Sequence, residues 1–224
     1  IVFGDWSSDV CSSDLAEIKA NLPALDILSH DMRDADSSQR THPENEIALR
    51  HELSLARVSF TYENAQTPSL HNISLSINAR STVAFVGATG CGKTTLADLI
   101  LGLLKPREGE ILVDNVVLDE TNIKSWQRNI GYVPQEIYLS DTTLARNIAF
   151  GVDEKKLDRE AVKKAARIAN ISDFIENELP LGYETMAGER GVRMSGGQRQ
   201  RIGIARALYH NPELLVFDEA KDRK

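Results

Sequence analysis

The chain has 224 residues and an ordinary composition, with 42% hydrophobic and 26% charged residues. Its 33 acidic and 26 basic side chains give a formal net charge of −7, which argues against nucleic acid as the main partner. No apolar run reaches the roughly 20 residues that a transmembrane helix needs, and the 2 cysteines fit neither a disulfide framework nor a zinc site.

Both ends of the chain differ in character from the rest. The stretch DWSSDVCSSDL (5–15) resembles the translation of a common sequencing-library adapter, and DRK (222–224) resembles the reverse adapter. We therefore expect residues 1–15 and 221–224 to be foreign, which leaves Cys91 as the native cysteine. A natural polar leader and a charged tail are the alternative.

The next segments lead into the main domain. Residues 16–33 place leucines at helical spacing, and residues 34–49 are polar and rich in turn formers, as in a linker. The hydrophobic period then changes to two, which predicts strands over 53–62 and 73–77. Residues 16–50 are therefore interpreted as a helix and linker that enter a β-rich region.

A glycine-rich loop, GATGCGKT (87–94), lies between the apolar run TVAF (82–85) and a helical pattern over 93–104. A strand before the loop and a helix after it are the setting in which G-x-x-x-x-G-K-[ST] binds phosphates. The glycines let successive N–H groups point at one anion, and the helix adds its positive end. Lys93 would neutralise the β- and γ-phosphates, and the Thr94 hydroxyl would coordinate Mg²⁺. A glycine-rich turn before an unrelated helix is the alternative.

The second half of the chain reads as mostly helical. After a predicted strand over 110–118 come a helical region from Leu157 to Leu179, a helix over 196–208 and a buried strand over 214–217. This order of elements indicates an α/β core with a helical insertion.

The last strand, LLVFDEA (214–220), ends in two carboxylates. Side chains leave a strand end in different directions, so Asp218 would hold Mg²⁺ through water and Glu219 would accept a proton from the attacking water. An ordinary acidic strand end would explain the pair if it stood alone. Together with the phosphate loop, the pair predicts nucleotide hydrolysis, because phosphoryl transfer needs charge neutralisation, a metal and a positioned water in one place.

Between these motifs lies MSGGQRQRIGIARAL (194–208), in which Ser195, Gly196 and Gly197 stand before a helix. Backbone donors at a helix N-terminus suit a phosphate. A serine N-cap with flexible glycines explains the start of the helix but not the QRQR tract. MSGGQ is a one-letter variant of the LSGGQ signature, and residues 50–220 resemble the nucleotide-binding domain of an ATP-binding-cassette (ABC) transporter.

The resemblance implies a P-loop NTPase core, a mixed sheet with flanking helices, within an ABC ATPase domain over 51–220. It also implies an α-helical subdomain over about 136–195. Tyr62 matches the aromatic residue that stacks on adenine, and Gln135 in GYVPQ matches the glutamine that senses the γ-phosphate and Mg²⁺. GERG (188–191) resembles an element that contacts the membrane domain in exporters. Taken alone, Tyr62 also fits a core aromatic residue and GERG a charged turn.

The family pattern, carried over position by position, predicts three groups of site residues. The catalytic group is Lys93, Gln135 and Glu219, and the metal ligands are Thr94, Gln135 and Asp218. The nucleotide-binding group is Tyr62, Gly87, Gly90, Cys91, Gly92, Lys93, Thr94, Thr95, Ser195, Gly196, Gly197 and Gln198.

Cys91 occupies a position where many relatives have serine. Only backbone donation is needed there, so we expect the thiol to be tolerated. A thiol-directed alkylator is expected to fill the phosphate site and block ATP binding.

The resemblance also implies how the domain works. Two copies pair head to tail, and ATP on the phosphate loop of one is capped by Ser195, Gly196 and Gly197 of the other. Family members continue past the catalytic glutamate with a SALD-like loop and a strand that carries a histidine, whereas here KDRK follows DEA. We therefore expect a C-terminal part of the core to be missing, and the fragment to fold poorly and turn over weakly.

The sequence thus favours the ATPase domain of an exporter, at the cytoplasmic face of a bacterial inner membrane. Its cofactors would be ATP and Mg²⁺, and its partners a second ATPase domain and a transmembrane domain. A stand-alone importer subunit, a soluble ABC ATPase acting on DNA or ribosomes, and an inert fragment are the alternatives. Several stretches look most like flippases or exporters of lipid-linked glycans, but membrane helices select the cargo.

Overall fold

The computed structural model describes residues 47–63, 65–188 and 194–218. The predicted helix over 16–33, most of the linker over 34–49, and Glu219 lie outside the described residues. Within the described ranges, no helix combines the length and the apolarity that crossing a membrane requires.

The first sheet is antiparallel and has four strands in the spatial order β2-β1-β3-β4. Its strands are β1 (Glu52–Phe60), β2 (Leu70–Asn78), β3 (Glu108–Val113) and β4 (Val116–Val117). The single predicted strand over 110–118 is therefore wrong, because Asp114 and Asn115 form a tight turn inside it. Both have positive φ, 48° and 67°, as a two-residue hairpin turn requires.

Strand β1 is bent at Arg57, where its register with both neighbouring strands shifts. Arg57 has φ 52°, and its N–H is withdrawn from the ladder to donate to Ser74 Oγ at 3.0 Å. Gly109 of β3 lies over this bulge with φ +79°, and a Cβ there would overlap the carbonyl oxygens of Ala56 and Arg57. The bulge therefore depends on a glycine in the facing strand.

Two helices cover this sheet, α1 (Lys93–Ile100) and α2 (Ile123–Arg128). Trp126 of α2 is fully buried and packs in one cluster with Leu53 and Leu99, and its indole N–H donates to the carbonyl of Ile100 at 2.8 Å. The helix predicted over 93–104 ends at Ile100, because Gly102 with φ 69° turns the chain away.

The helical region forms a second core of its own. It contains α3 (Leu144–Ile148), α4 (Arg159–Ile168) and α5 (Gly196–Leu208), with short turns at Glu154–Lys156, Phe174–Glu178 and Gly182–Glu184. The continuous helical pattern predicted from Leu157 to Leu179 is broken, since Asn170 with φ 55° ends α4 in a left-handed conformation. Leu144, Ile148, Val162, Ile175 and Ile202 are among its buried residues.

The second sheet is parallel and joins β5 (Ile130–Val133) to β6 (Leu214–Phe217). The whole helical region lies between these two strands in the chain, so it is the insertion that the sequence predicted. Parallel and antiparallel ladders are thus both present, in two sheets.

Two sequence-based expectations for the parallel strands are wrong. Residues 82–85 form no strand, and Val86 next to them is 94% exposed. Strand β6 pairs within the described residues with β5 alone, and Phe217 remains 46% exposed. An apolar run becomes a buried strand only when a neighbouring strand takes its backbone groups, and the described part of the chain supplies no such neighbour to 82–85.

Candidate functional site: a phosphate loop and the strand ends beside it

The phosphate loop (residues 87–94) leads directly into α1. Gly92 is the N-cap of α1 with φ 94°, and no side chain caps the helix there. The first N–H groups of a helix have no partner inside it, and the helix dipole adds positive charge at the same end. The start of α1 therefore presents uncapped backbone donors to an anion.

The loop glycines are required for different reasons. A Cβ on Gly87 would lie 2.7 Å from Cys91 Sγ, and one on Gly92 would lie 2.7 Å from the Ser69 carbonyl oxygen. Gly90 has open space around it but a φ of +83°, which L-residues with a side chain rarely adopt. The positive φ of Gly90 and Gly92 shows that the loop backbone turns sharply at these two residues.

The ammonium group of Lys93 lies across the loop. Its Nζ donates to the carbonyl oxygens of Gly87 at 2.8 Å and Ala88 at 3.0 Å, and lies 3.8 Å from Cys91 Sγ. These carbonyls hold the charge at the loop, where a phosphate could replace them as its partner. Cys91 is exposed, so its thiol is open to reagents.

Gln135 and Asp218 follow the ends of the neighbouring strands β5 and β6. The Asp218 N–H donates to the carbonyl of Val133 at 3.0 Å, which continues the ladder one step beyond β6. Gln135 lies two residues beyond the end of β5, at the same end of the ladder as Asp218.

An acidic residue of α1, Asp98, joins this corner of the molecule. Burial and the nearby charge of Asp218 raise the pKa of Asp98 above its ordinary value. Burial, Asp218 and Asp98 likewise raise the pKa of the Tyr132 hydroxyl in β5. Asp98 is one helical turn after Thr94, on the same face. Asp98 and Asp218 are thus close enough for their charges to interact.

Asp98 is not among the residues that the sequence predicted for the site. The available signal was a carboxylate four residues after the loop threonine, in the otherwise apolar stretch LADLILGLL (96–104).

The donor set fits Mg²⁺ held mainly by phosphate and water. Thr94, Gln135 and Asp218 offer oxygen ligands with a single carboxylate, which is typical of magnesium bound with a nucleotide. The described residues contain no cluster of three or more His, Cys, Asp or Glu that could hold a metal without such help.

Tyr62 lies just beyond the end of β1 and is 43% exposed. Its ring meets Phe60 edge to face, with centroids 4.9 Å apart and an interplanar angle of 90°. It also borders an open cavity of about 410 Å³ with Phe60, Leu104 and Pro106. The ring is therefore not a buried core aromatic, and a planar base could reach it.

The signature segment starts α5 and forms a capping box. Ser195 Oγ accepts from the N–H of Gln198 at 3.2 Å, and Gln198 Oε1 accepts from the N–H of Ser195 at 2.8 Å. A Cβ on Gly196 or Gly197 would meet nothing within 4 Å. Both hydrogen bonds lie within the first turn of α5. The helix itself packs in the helical core and not against the phosphate loop.

The predicted site thus falls into three groups. The loop residues 87–95 and Tyr62 lie together at the start of α1, where the Tyr62 hydroxyl is 3.2 Å from Thr95 Oγ1. Gln135 and Asp218 follow the neighbouring ends of β5 and β6. Residues 195–198 form a separate group at the start of α5. Glu219, and all of the GERG segment beyond Gly188, lie outside the described residues.

Comparison with known proteins places these features in one family. The ABC transporter family model matches residues 70–222. The chain is 46% identical over 77% of its length to an ATP-dependent lipid A-core flippase of Chromobacterium violaceum, and covers 29% of that protein. It is 43% identical to ATP-binding cassette sub-family B member 5 of Mus musculus, with 75% of this chain and 13% of the mouse protein covered.

A solved structure shows the same relationship. The structure of a bacterial Atm1-family ABC exporter with ATP bound matches 80% of this chain at 39% identity, with a TM-score of 0.69. The chain covers 31% of that exporter and spans less than a third of the length of these relatives. The loop, the strand ends and the capped signature helix belong to a chain of the ABC transporter family.

Proposed function

We propose that this domain binds ATP with Mg²⁺ at the phosphate loop and hydrolyses it to drive export across a membrane. The observation that carries the proposal is the uncapped start of α1, with Lys93 held across the loop by the carbonyl oxygens of Gly87 and Ala88. The ATP-bound exporter with which the chain shares its fold supports it.

Each residue has a role that follows from its place. The backbone donors of the loop and of α1 would bind the phosphates, and Lys93 would exchange its two carbonyl partners for phosphate oxygens. Thr94, Gln135 and Asp218 would hold Mg²⁺, which supplies charge neutralisation at the β- and γ-phosphates. Glu219 is proposed as the base that accepts a proton from the attacking water.

The signature helix points to a second copy as the partner. Ser195 is the N-cap of α5, and its hydroxyl accepts a hydrogen bond from the Gln198 N–H. The space beside Gly196 and Gly197 is open. Two copies arranged head to tail would place these backbone donors over the nucleotide of the other copy. Closure on ATP and reopening after hydrolysis would then move an attached membrane domain.

The names of the relatives favour export over the importer and soluble alternatives. Matches include lipid A-core flippases from four bacteria and an Atm1-family exporter. We therefore propose a location at the cytoplasmic face of a membrane, a transmembrane domain as partner, and a lipid-linked glycan as the class of cargo.

The experiment that tests the proposal measures ATP binding and phosphate release by the purified 224-residue chain, with and without Mg²⁺. We expect binding to depend on the loop, so Lys93→Ala should weaken it at least tenfold. Glu219→Gln should keep binding and lose hydrolysis. Wild-type protein that binds no ATP, or a Lys93→Ala variant that binds it normally, would overturn the proposal.

A further inference from the structure

The hydroxyl of Tyr62 makes a contact that its assignment as a stacking residue does not require. It lies 3.2 Å from the Oγ1 atom of Thr95, and either oxygen can donate. Tyr62 follows β1, whereas Thr95 is in the first turn of α1. The hydrogen bond therefore joins the two parts of the site that would hold the base and the phosphates.

Two contacts fix the orientation of the Tyr62 ring. Phe60 meets it edge to face, and the hydrogen bond to Thr95 holds its far end. Thr95 is only 7% exposed and belongs to a packed helix, so its hydroxyl is a fixed anchor. The ring itself stays 43% exposed beside the cavity of about 410 Å³.

We propose that Thr95 is a positioning residue for the nucleotide base, which acts by holding Tyr62 in its stacking orientation. This inference rests on the proposed function. An exposed tyrosine on a loop has two rotatable side-chain bonds, and ordering it upon binding costs free energy. The Thr95 hydroxyl removes that cost before ATP arrives, because it sets the ring relative to the helix that binds the phosphates.

The proposal predicts a loss that depends on the base of the ligand. A net hydrogen bond of ordinary strength corresponds to about a fivefold change in affinity. Tyr62→Phe should therefore weaken ATP binding about fivefold and leave the binding of magnesium tripolyphosphate, which has no base, unchanged. Thr95→Val should lose affinity for ATP by about fivefold more than for tripolyphosphate, and Thr95→Ser, which keeps the hydroxyl, should not show this excess.

Isothermal titration calorimetry with both ligands tests this on the full chain, with Tyr62→Phe, Thr95→Val, Thr95→Ser and the double variant Tyr62→Phe/Thr95→Val. Tyr138→Phe removes a phenol hydroxyl from an exposed residue elsewhere and is the matched control. Melting temperatures of all variants identify any loss of folding. In the double variant, the excess loss for ATP should be no larger than in either single variant.

Three results would contradict the positioning role. Tyr62→Phe with wild-type affinity for ATP would do so, as would equal losses for the two ligands, or excess losses that add in the double variant. Failure of the proposed function looks different, because the wild-type chain would then bind neither ATP nor tripolyphosphate, and the positioning role would fall with it.

Discussion

Cys91 has close neighbours on both sides in the phosphate loop. Its Sγ lies 3.8 Å from Lys93 Nζ and so near Gly87 that a Cβ there would stand 2.7 Å away. The thiol is nevertheless exposed. Any group attached to this sulfur must therefore occupy the space in which the loop would receive phosphate.

We expect N-ethylmaleimide to abolish ATP binding once it has modified Cys91, and bound ATP to slow the modification. The measurement is ATP affinity against the extent of labelling, determined by intact-mass spectrometry. A Cys11→Ser chain is the matched control, since it retains Cys91 and should be inhibited equally. Full nucleotide affinity after stoichiometric labelling of Cys91 would show that the prediction is wrong.

Asp98 makes the free energy of unfolding depend on pH. Its pKa is raised in the folded protein by burial and by Asp218. The folded state therefore binds more protons than the unfolded state between the ordinary pKa of aspartate and the raised one. The free energy of unfolding should therefore fall as pH rises through this window. At neutral pH, the ionised Asp98 carboxylate should destabilise the folded state.

Asp98→Asn should accordingly increase the free energy of unfolding at pH 7 and flatten its dependence on pH in the acidic range. Urea unfolding between pH 4 and pH 7 measures both effects. Asp173→Asn, at an exposed position, is the control and should change little. A variant that is no more stable than wild type at pH 7 would contradict the expected destabilisation.

At the scale of single elements, the start of α5 contains two glycines that its own fold does not need. Neither has a positive φ, and a Cβ on either would meet nothing within 4 Å. Alanine in a helix is favoured over glycine by up to about 1 kcal/mol. The glycines are thus a cost to the helix that a closely approaching partner would explain.

We expect Gly197→Ala to raise the free energy of unfolding by about 0.5 kcal/mol and to lower ATP turnover at least tenfold. The reason is that the added methyl group would stand between the backbone donors and the nucleotide of the paired copy. Chemical denaturation and steady-state phosphate release measure the two quantities. Unchanged turnover in a stabilised variant would argue against the pairing.

Within the helical core, Asn147 of α3 is a fully buried polar residue that links three segments. Its Oδ1 accepts from the N–H of Ser140 at 3.0 Å and its Nδ2 donates to the Ser140 carbonyl at 2.9 Å. Arg206 of α5 donates to its carbonyl oxygen through Nε at 2.9 Å and to Oδ1 through Nη2 at 3.3 Å. The side chain of Asn147 therefore ties the chain after β5 and α5 to α3.

Asn147→Leu should lower the free energy of unfolding by about 2–4 kcal/mol, because it leaves several buried polar groups without partners. Asn177→Leu, on an exposed turn, is the control and should lie within about 0.5 kcal/mol of wild type. Equal stability of the two variants, measured by urea unfolding, would contradict the role of Asn147 as a buried link.

Across the whole molecule, the sequence predicted the features that arise from neighbouring residues better than those that arise from residues distant in the chain. The phosphate loop, the N-cap at Ser195 and the α/β order with a helical insertion follow from short motifs and hydrophobic period, and the fold class is confirmed. The strand over 82–85 and the burial of β6 were wrong, because strand pairing depends on partners distant in sequence. Helix ends were missed where Gly102 and Asn170 turn the chain, since a left-handed residue interrupts a pattern without changing its period.

The parallel pairing of β5 with β6 has a consequence for how the protein is made. Ile130 and Leu214 are paired although about eighty residues separate them, and the helical core lies entirely within that interval. During synthesis on the ribosome, β5 therefore has no β6 to pair with until the helical region has been made. The helical region can fold first, because its contacts are closer in sequence. The pairing of β5 with β6 then forms late. Until it forms, the edge of β5 is exposed, and a chaperone or another unfolded chain would bind there first.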